Sequence, residues 1–316
     1  MTNPRVSILM SVFNGKDYVR QSIDSILGQT YRDFEFIIID DGSTDGTAEI
    51  LESYKHPGIR VHTQKNHGLT KALNTAISLS QGEYLARQDS DDISNPQRLE
   101  RQVKFLDENG KVGLVGTYYN RIDLRGNILQ DMKPLVRSNE LKKRLEMHNQ
   151  FAHGSVMFRR RCIECVGVYR EEFRVAQDYD LWLRISERFD VANLPEFLYQ
   201  WRLNLSSQSV RSLDVQNAHA SMASELAKER RSRGVDRLRE SSPEERAAWT
   251  RDFLKSRLGD VRDGEAFGYN KWAKVFLDGG NHQEAIRFIL RSLSVDPFRI
   301  DTWKLLCQAG KRIAAR

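Results

Sequence analysis

The 316-residue sequence predicts an α/β fold: a mostly parallel sheet with helices on both faces, followed by an all-α segment. Three observations carry this expectation. Strand-like and helix-like stretches alternate through the first third of the chain, and that alternation builds parallel sheets with right-handed crossovers. The strand-like stretches are continuous apolar runs, such as FIII at 36–39, which suit a sheet covered on both faces. After about residue 206 the strand-like runs stop and helical periodicity takes over.

Residues 6–13 (VSILMSVF) read as the first strand. Residues 17–29 have helical spacing, with Val19, Ile23, Ile26 and Leu27 on one face. Residues 34–39 (FEFIII) form the second strand, and DDGSTDGT follows at once. A short helix is expected over 48–54, with Thr44 or Thr47 as its N-cap. A strand at 59–63, a helix at 69–80 and a strand at 82–86 complete the alternation. The last of these runs into an acidic knot, QDSDD.

The middle is less regular. It suggests helices at 96–108, 139–147 and 180–188, and strands at 111–119, 151–158 and 197–202. Long helices follow at 214–233 and, after a polar break with Pro243, at 244–258. Residues 269–309 pair two helices. Ala273, Phe276, Ala285, Ile289 and Leu293 are spaced as in a tetratricopeptide-type hairpin. One hairpin cannot bury its own face, so it is expected to pack on the preceding helices or on a partner chain. The chain thus divides into 1–205, a helical linker at 206–265 and a hairpin at 266–316.

Composition bounds the function. The hydrophobic fraction of 40% is ordinary for a globular protein. No stretch approaches the ~20 apolar residues needed to cross a bilayer. The N-terminal apolar run is short and meets Asn14 and Lys16 without a small-residue cleavage site, so a cytoplasmic protein is expected. Cys162 and Cys165 form a lone C-x-x-C with no further ligands nearby, and Cys307 stands alone; all three read as reduced and structural. Residues 1–200 hold 27 Lys+Arg and 28 Asp+Glu, a balance of −1, whereas residues 201–316 hold 22 and 15, a balance of +7. The excess, notably KERRSRGVDRLR from Lys228 to Arg239, reads as a solvated helix face; the sharper alternative is peripheral contact with an anionic membrane. No aromatic-plus-basic pattern or reader motif points to nucleic acid.

In a parallel α/β sheet, ligands bind outside the C-terminal ends of the strands. Three polar motifs sit there: Phe13-Asn14-Gly15, Asp40-Asp41-Gly42-Ser43 and Asp89-Ser90-Asp91. Asp89, Asp91 and Asp92 would repel one another unless something offsets their charge. Carboxylates at i and i+2 across a tight turn can grip one divalent cation together with its phosphate ligand. The plain alternative is that Asp91 or Ser94 caps the helix begun by Asn95-Pro96. DDGSTDGT is likewise ordinary turn and cap material.

Taken together, PRVSILMSVFNG, DFEFIIIDDGSTDGT, NHGLTKALNTAI and GEYLARQDSDD resemble the nucleotide-sugar half of family 2 glycosyltransferases, which have the Rossmann-like GT-A fold. FAHGSVMFRR and AQDYDLWLRI resemble the acceptor half, and the resemblance spans about residues 4–205. It implies roles. Phe13 would stack near the base, with Asn14 beside it. Asp40 and Asp41 would contact base and ribose, and Gly68 and Lys71 would flank the nucleotide. Asp89 would approach the ribose and, with Ser90, line the donor site; Asp91, with Asp89, would ligate Mn²⁺ or Mg²⁺ bridging the diphosphate. Asp178 would be the catalytic base.

The sequence departs from the family in two places. Gln177 stands where Glu often precedes the base, and Trp201-Arg202-Leu203-Asn204 replaces Tyr-Arg-x-His. Arg202 and Asn204 are therefore candidates for the diphosphate region, and His153 is a candidate for the missing histidine's role. Trp182 is a candidate for the acceptor pocket, against the plainer reading of core packing, and Asp180 is expected to cap its helix.

The resemblance implies an inverting, metal-dependent transfer from a nucleotide-diphospho-sugar, UDP-sugars favoured, to a glycan or lipid-linked acceptor. A carboxylate within reach can take the acceptor proton as the bond forms. A nucleotidyltransferase is disfavoured because FNGKDY lacks a Gly-rich basic loop, and a nicotinamide dehydrogenase because no G-x-G-x-x-G follows strand one. The different-class alternative is an inactive sugar-nucleotide-binding scaffold that uses its helical C-terminus to hold a partner.

Overall fold

The interior strand β1 (Val6–Val12) pairs in parallel with β2 (Phe34–Asp40) on one side and β4 (Tyr84–Arg87) on the other. The computed structural model describes residues 3–136, 138–203, 213–257 and 261–314. Register places Val12 beside Asp40, so both strands release the chain at one edge. Beyond β2 lies β3 (Ile59–Thr63), again parallel. The crossovers are α1 (Val19–Leu27), α2 (Thr47–Glu52) and α3 (Leu69–Leu79).

Alternate residues of the strands serve opposite layers. Ile8, Met10, Phe36 and Ile38 pack with Val19, Ile23 and Ile26 of α1. Leu9, Ile37 and Ile39 pack with Ala72, Leu73 and Ala76 of α3. Burial on both faces is the reason these strands are apolar throughout. Neither Thr44 nor Thr47 caps α2: Gly46, at φ +97°, occupies the N-cap, and Thr47 Oγ1 donates instead to Asp45 Oδ1 at 2.5 Å.

The other half of the sheet is mixed. Its elements are β5 (Ile93–Ser94), α4 (Arg98–Glu108), β6 (Val112–Ile122), β7 (Ile128–Met132), α5 (Ser138–Leu145), β8 (Met157–Arg159), α6 (Arg160–Val166), α7 (Gln177–Arg188) and β9 (Asp190–Arg202). The strand order is β3-β2-β1-β4-β8-β6-β9-β5, with β7 paired to β6. β8 is antiparallel to β4 and to β6, whereas β9 runs parallel to β6.

Two local expectations are corrected. The strand expected over 151–158 is confined to β8, because His153–Ser155 form a 3₁₀ turn. Side chains take the bonds a ladder would have made: Arg98 Nη1 donates to Gly154 O at 2.6 Å and Gln102 Nε2 to Ser155 O at 2.8 Å. The helix expected from 180 starts at Gln177, so Asp180 is not its cap. Asp180 is buried and accepts from Arg184 Nε at 2.9 Å and Arg170 Nη1 at 3.3 Å.

Six helices complete the described chain: α8 (Leu213–Arg233), α9 (Arg237–Glu240), α10 (Pro243–Arg257), α11 (Val261–Asp278), α12 (His282–Val295) and α13 (Ile300–Ala314). Met222, Ala223 and Leu226 of α8 share a buried cluster with Leu181 and Trp182. The α11–α12 hairpin buries Trp272, Phe276, Phe288 and Ile289 around Leu203, with Trp201 and Leu129 packed against them. The hairpin packs on the preceding helix α8, as expected, and also on the sheet, where the end of β9 and the start of β7 present apolar side chains. Three arginines of the basic run are paired internally: Arg230 with Glu187, Arg231 with Glu146 and Arg237 with Glu229. Among the described residues no helix is long and apolar enough to cross a membrane. The three cysteines are free thiols, Cys162 buried and the other two exposed.

Candidate active site

The strand-end loops, α7 and the helices beyond residue 213 enclose a cleft of about 1270 Å³. Phe13, Asn14, Asp41, Gly68, Asp89, Ser90, Asp91, His153 and Asp178 all line it. Phe13 is 51% exposed, an apolar ring presented to the cleft after β1. Asn14, at φ +52°, ties the first loop to the second: its Oδ1 accepts from Thr44 N at 2.8 Å, and its N–H donates to Ser43 Oγ at 3.0 Å.

Asp40 and Asp41 do different work. Asp40 is buried outside the lining and accepts from Ser43 N at 3.0 Å, which shapes the turn. Asp41 Oδ1 accepts from Gln64 Nε2 at 2.7 Å and His67 N at 3.0 Å, and its Oδ2 from Gly68 N at 2.8 Å. Gly68 sits at φ +87° and ψ 160°, a conformation open to glycine. Lys71 lies outside the lining, exposed and 3.5 Å from Glu171.

The acidic loop is held by two buried guanidinium groups. Arg87, at the end of β4, pairs through Nη2 with Asp89 Oδ1, while its Nη1 donates to Leu9 O at 2.5 Å and Gln88 O at 2.9 Å. Arg202, at the end of β9, donates through Nε to Asp91 O at 2.8 Å, and its backbone N–H donates to Asp92 Oδ1 at 2.8 Å. Arg202 is therefore buried behind the loop. Burial and the charge of Asp89 push Asp91 up to about 6. Burial and both neighbours push Asp92 well above the usual carboxylate range.

His153 does not present its Nε2 to the cleft. That nitrogen accepts from Arg87 Nε at 3.2 Å and lies 3.0 Å from the Tyr169 hydroxyl. Burial, with Arg87 beside it, holds its pKa well below the ordinary value, so the ring stays neutral and braces Arg87. Trp182 is fully buried and outside the lining, edge-on to Phe151, Phe158 and Tyr169, which makes it core. Asn204 lies outside the described residues.

Asp178 stands in the first turn of α7, just after Ala176 at φ +55°. Its Oδ2 accepts from Asn149 Nδ2 at 2.8 Å. Burial lifts its carboxyl to about 6 against the hydrogen bonds from the Tyr179 backbone and Asn149, and the charge of Asp89 adds to the rise. A carboxylate so placed is mostly ionised at neutral pH and able to take a proton. Asn149 and Arg87 escaped sequence reasoning. For Arg87 a signal existed, since a charge inside the strand YLAR must be paired once buried. For Asn149 there was none.

Among the described residues no group of three His, Cys, Asp or Glu side chains is arranged to hold a metal ion. The Asp89–Asp91 pair nonetheless fits a hard cation that takes its remaining oxygens from a diphosphate and water. Burial, and after it the charge of Asp89, lifts Asp91, and a cation there would favour its charged form.

Known proteins resemble this chain in sequence and in fold. The model of glycosyl transferase family 2 matches residues 7–167. The O-antigen biosynthesis glycosyltransferase WbnJ of Escherichia coli is 36% identical over 218 residues, 66% of this chain and 83% of that protein. The S. aureus TarS fragment 1-349 in complex with UDP has a TM-score of 0.55 at 18% identity, over 89% of this chain and 90% of its own. The mannosyltransferase PcManGT from Pyrobaculum calidifontis, in complex with GDP-Man and Mn²⁺, has a TM-score of 0.54 at 18% identity, over 100% of this chain and 82% of its own. The last two are likenesses of fold.

Proposed function

The chain belongs to glycosyl transferase family 2, and on that premise we propose that it is an inverting enzyme. It moves a sugar from a nucleoside-diphospho-sugar to an acceptor hydroxyl in surface-glycan synthesis. The observation that carries this reading is the sharing of one cleft by Asp178, Asp89 and Asp91. Its electrostatics agree, since the charge of Asp89 reaches Asp178.

Phe13 offers its ring to the base, and the loop braced by Asp41 and Gly68 frames the nucleotide. Asp89 and Asp91 would hold Mn²⁺ or Mg²⁺, which when bound offsets the charge that builds on the departing diphosphate oxygen. Asp178 takes the acceptor proton while the new bond to the anomeric carbon forms and the bond to the diphosphate breaks. Attack from the face opposite the leaving group inverts that carbon. Asn149 keeps the Asp178 carboxylate aimed.

Support for the donor class comes from similar folds held with UDP and with GDP-Man. UDP-sugars are the first to test. Three of the six basic residues of the run from Lys228 to Arg239 are held in internal pairs, which reduces the charge it offers to a membrane. A panel of UDP-, GDP- and dTDP-sugars with Mn²⁺, scored by thermal shift and by hydrolysis, tests the reading. Failure of every donor to bind would end it, and binding without turnover in any acceptor mixture would favour a scaffold.

A further inference from the structure

The cleft has a second wall of different chemistry, made where the C-terminal hairpin closes on the sheet. Tyr119 and Arg121 come from β6, Trp201 from β9, and Lys271 and Trp272 from α11; all five line the cleft. The Arg121 guanidinium lies against two indoles, 5.3 Å from the Trp201 ring centre and 5.0 Å from that of Trp272. The indoles meet edge to face at 5.6 Å, and Tyr119 stands edge-on to Trp201 at 6.3 Å. Lys271 Nζ is 5.7 Å from the Trp272 ring centre.

Among the described residues neither cation is paired with a carboxylate. Arg121 Nη1 donates to the neutral Gln130 Oε1 at 2.8 Å. Burial, with Arg121 beside it, lowers the pKa of Lys271. Apart from burial, Tyr119 is the group that acts on Arg121. Arg121 and Lys271 come from β6 and α11, not from the acidic loop after β4, so they form a wall of their own in the shared cleft. Two like charges facing one cleft beside aromatic rings form a receptor for an anion carried on a sugar. The partly exposed rings of Tyr119 and Trp201 can cover the apolar side of a pyranose, with the buried Trp272 behind them, and a guanidinium fork matches a carboxylate or phosphate.

We propose that the wall formed by Arg121, Lys271, Trp201 and Trp272 is the acceptor subsite, and that it selects a glycan acceptor bearing a negative charge, as carboxylate or phosphate, close to the accepting hydroxyl. The proposal rests on the glycosyl-transfer reading above. It gives the C-terminal helices a direct part in the site, since α11 supplies half of the wall.

The test uses the full chain with UDP and Mn²⁺ present and measures binding by tryptophan fluorescence. One probe pair is cellobiouronic acid against cellobiose. The other is citronellyl-diphosphate-linked N-acetylglucosamine against citronellyl N-acetylglucosaminide. At least one charged probe is expected to bind about tenfold tighter than its neutral partner, and the pair that shows this names the source of the charge. Lys271→Glu, an exposed position, and Arg121→Gln should each bring the ratio close to one. Equal binding of charged and neutral probes by the unmodified chain overturns the proposal, as does a preference that survives Lys271→Glu. If Lys271→Glu weakens UDP as much as it weakens the charged probe, the cations serve the donor and the proposal falls. Failure of glycosyl transfer itself shows separately, as absence of donor binding or turnover in the sugar-nucleotide panel.

Discussion

Asp178 and Asp180 stand two residues apart on α7, and their surroundings push their carboxyl groups in opposite directions. Burial raises Asp178 to about 6. Asp180 is more deeply buried, yet Arg184 and Arg170 overcome that burial and hold it below the usual range. A helix turns about 100° per residue, so neighbours at i and i+2 face away from each other. One carboxylate faces the cleft and the other an ion-paired interior.

Replacing these two residues should therefore give opposite phenotypes. Asp178→Asn is expected to lower turnover by about 10²–10⁴-fold, while the folded protein stays as stable at pH 7 or gains slightly. Asp180→Asn should cost about 3–5 kcal/mol by stranding Arg184 without its buried partner, with turnover per folded molecule kept. Thermal melts beside single-turnover rates check both. Normal turnover by Asp178→Asn would remove the base from the mechanism.

The pH profile should carry the mark of Asp178. Its proton must be off before it can act, so kcat/KM is expected to rise with pH through an apparent pKa near 6. Asn149 donates to the charged form, so Asn149→Ala should move that limb to higher pH. A limb that stays fixed in the variant would exclude Asn149 as the group tuning the base.

Stability has its own pH dependence. Asp91 and Asp178 have folded pKa values of about 6, above the ordinary 3.8. The folded state thus holds their protons more tightly than the unfolded chain. Their stabilising contribution is complete below about pH 3.8 and is lost as pH rises through 6. A divalent cation at Asp89 and Asp91 should restore stability above pH 6, giving a melting-temperature rise with Mn²⁺ that fades on acidification. Asp91→Asn should be more stable than the parent without metal and insensitive to Mn²⁺. Chelation should abolish transfer by the parent chain.

Gly154 is held by close approach. A Cβ there would fall inside the Tyr199 hydroxyl and 2.7 Å from Asp89 Oδ2. Gly154→Ala should displace both side chains, cost about 1–3 kcal/mol by overpacking and weaken the response to Mn²⁺. A variant with parental melting and Mn²⁺ response would show that the acidic loop does not depend on this contact.

Arg202 braces the same loop from behind. Besides Asp91 O it donates to Asp123 O at 3.0 Å, Leu124 O at 3.1 Å and Gln21 Oε1 at 2.7 Å. One ammonium cannot span these acceptors. Arg202→Lys should strand buried oxygens at about 1–3 kcal/mol each and raise the Mn²⁺ concentration needed for turnover. Calorimetry and a Mn²⁺ titration measure the two effects.

Much of this was written in local pattern. The runs VSILMSV and FEFIIID specify strands because every residue must be apolar when both faces are covered, and the polar motifs after them mark the edge where ligands bind. Patterns shorter than a helix turn were less reliable. HGS looked like part of a strand because its neighbours are apolar, but the side chains of Arg98 and Gln102, from α4, claimed its carbonyls. Lys71 follows Gly68 in sequence, yet the rotation of α3 carries its ammonium out to Glu171.

The sequence by itself determined the parallel half of the sheet, its loaded edge and the acidic motifs that follow its strands, since each follows from residues within a few positions of one another. Tertiary structure alone decided which side chains meet: Asn149 with Asp178, His153 with Arg87, and Arg121 with Trp201 and the Trp272 of a helix beyond the first fold. Periodicity gives the face a residue occupies but not the partner that face will find, because the partner is chosen by the packing of elements distant along the chain.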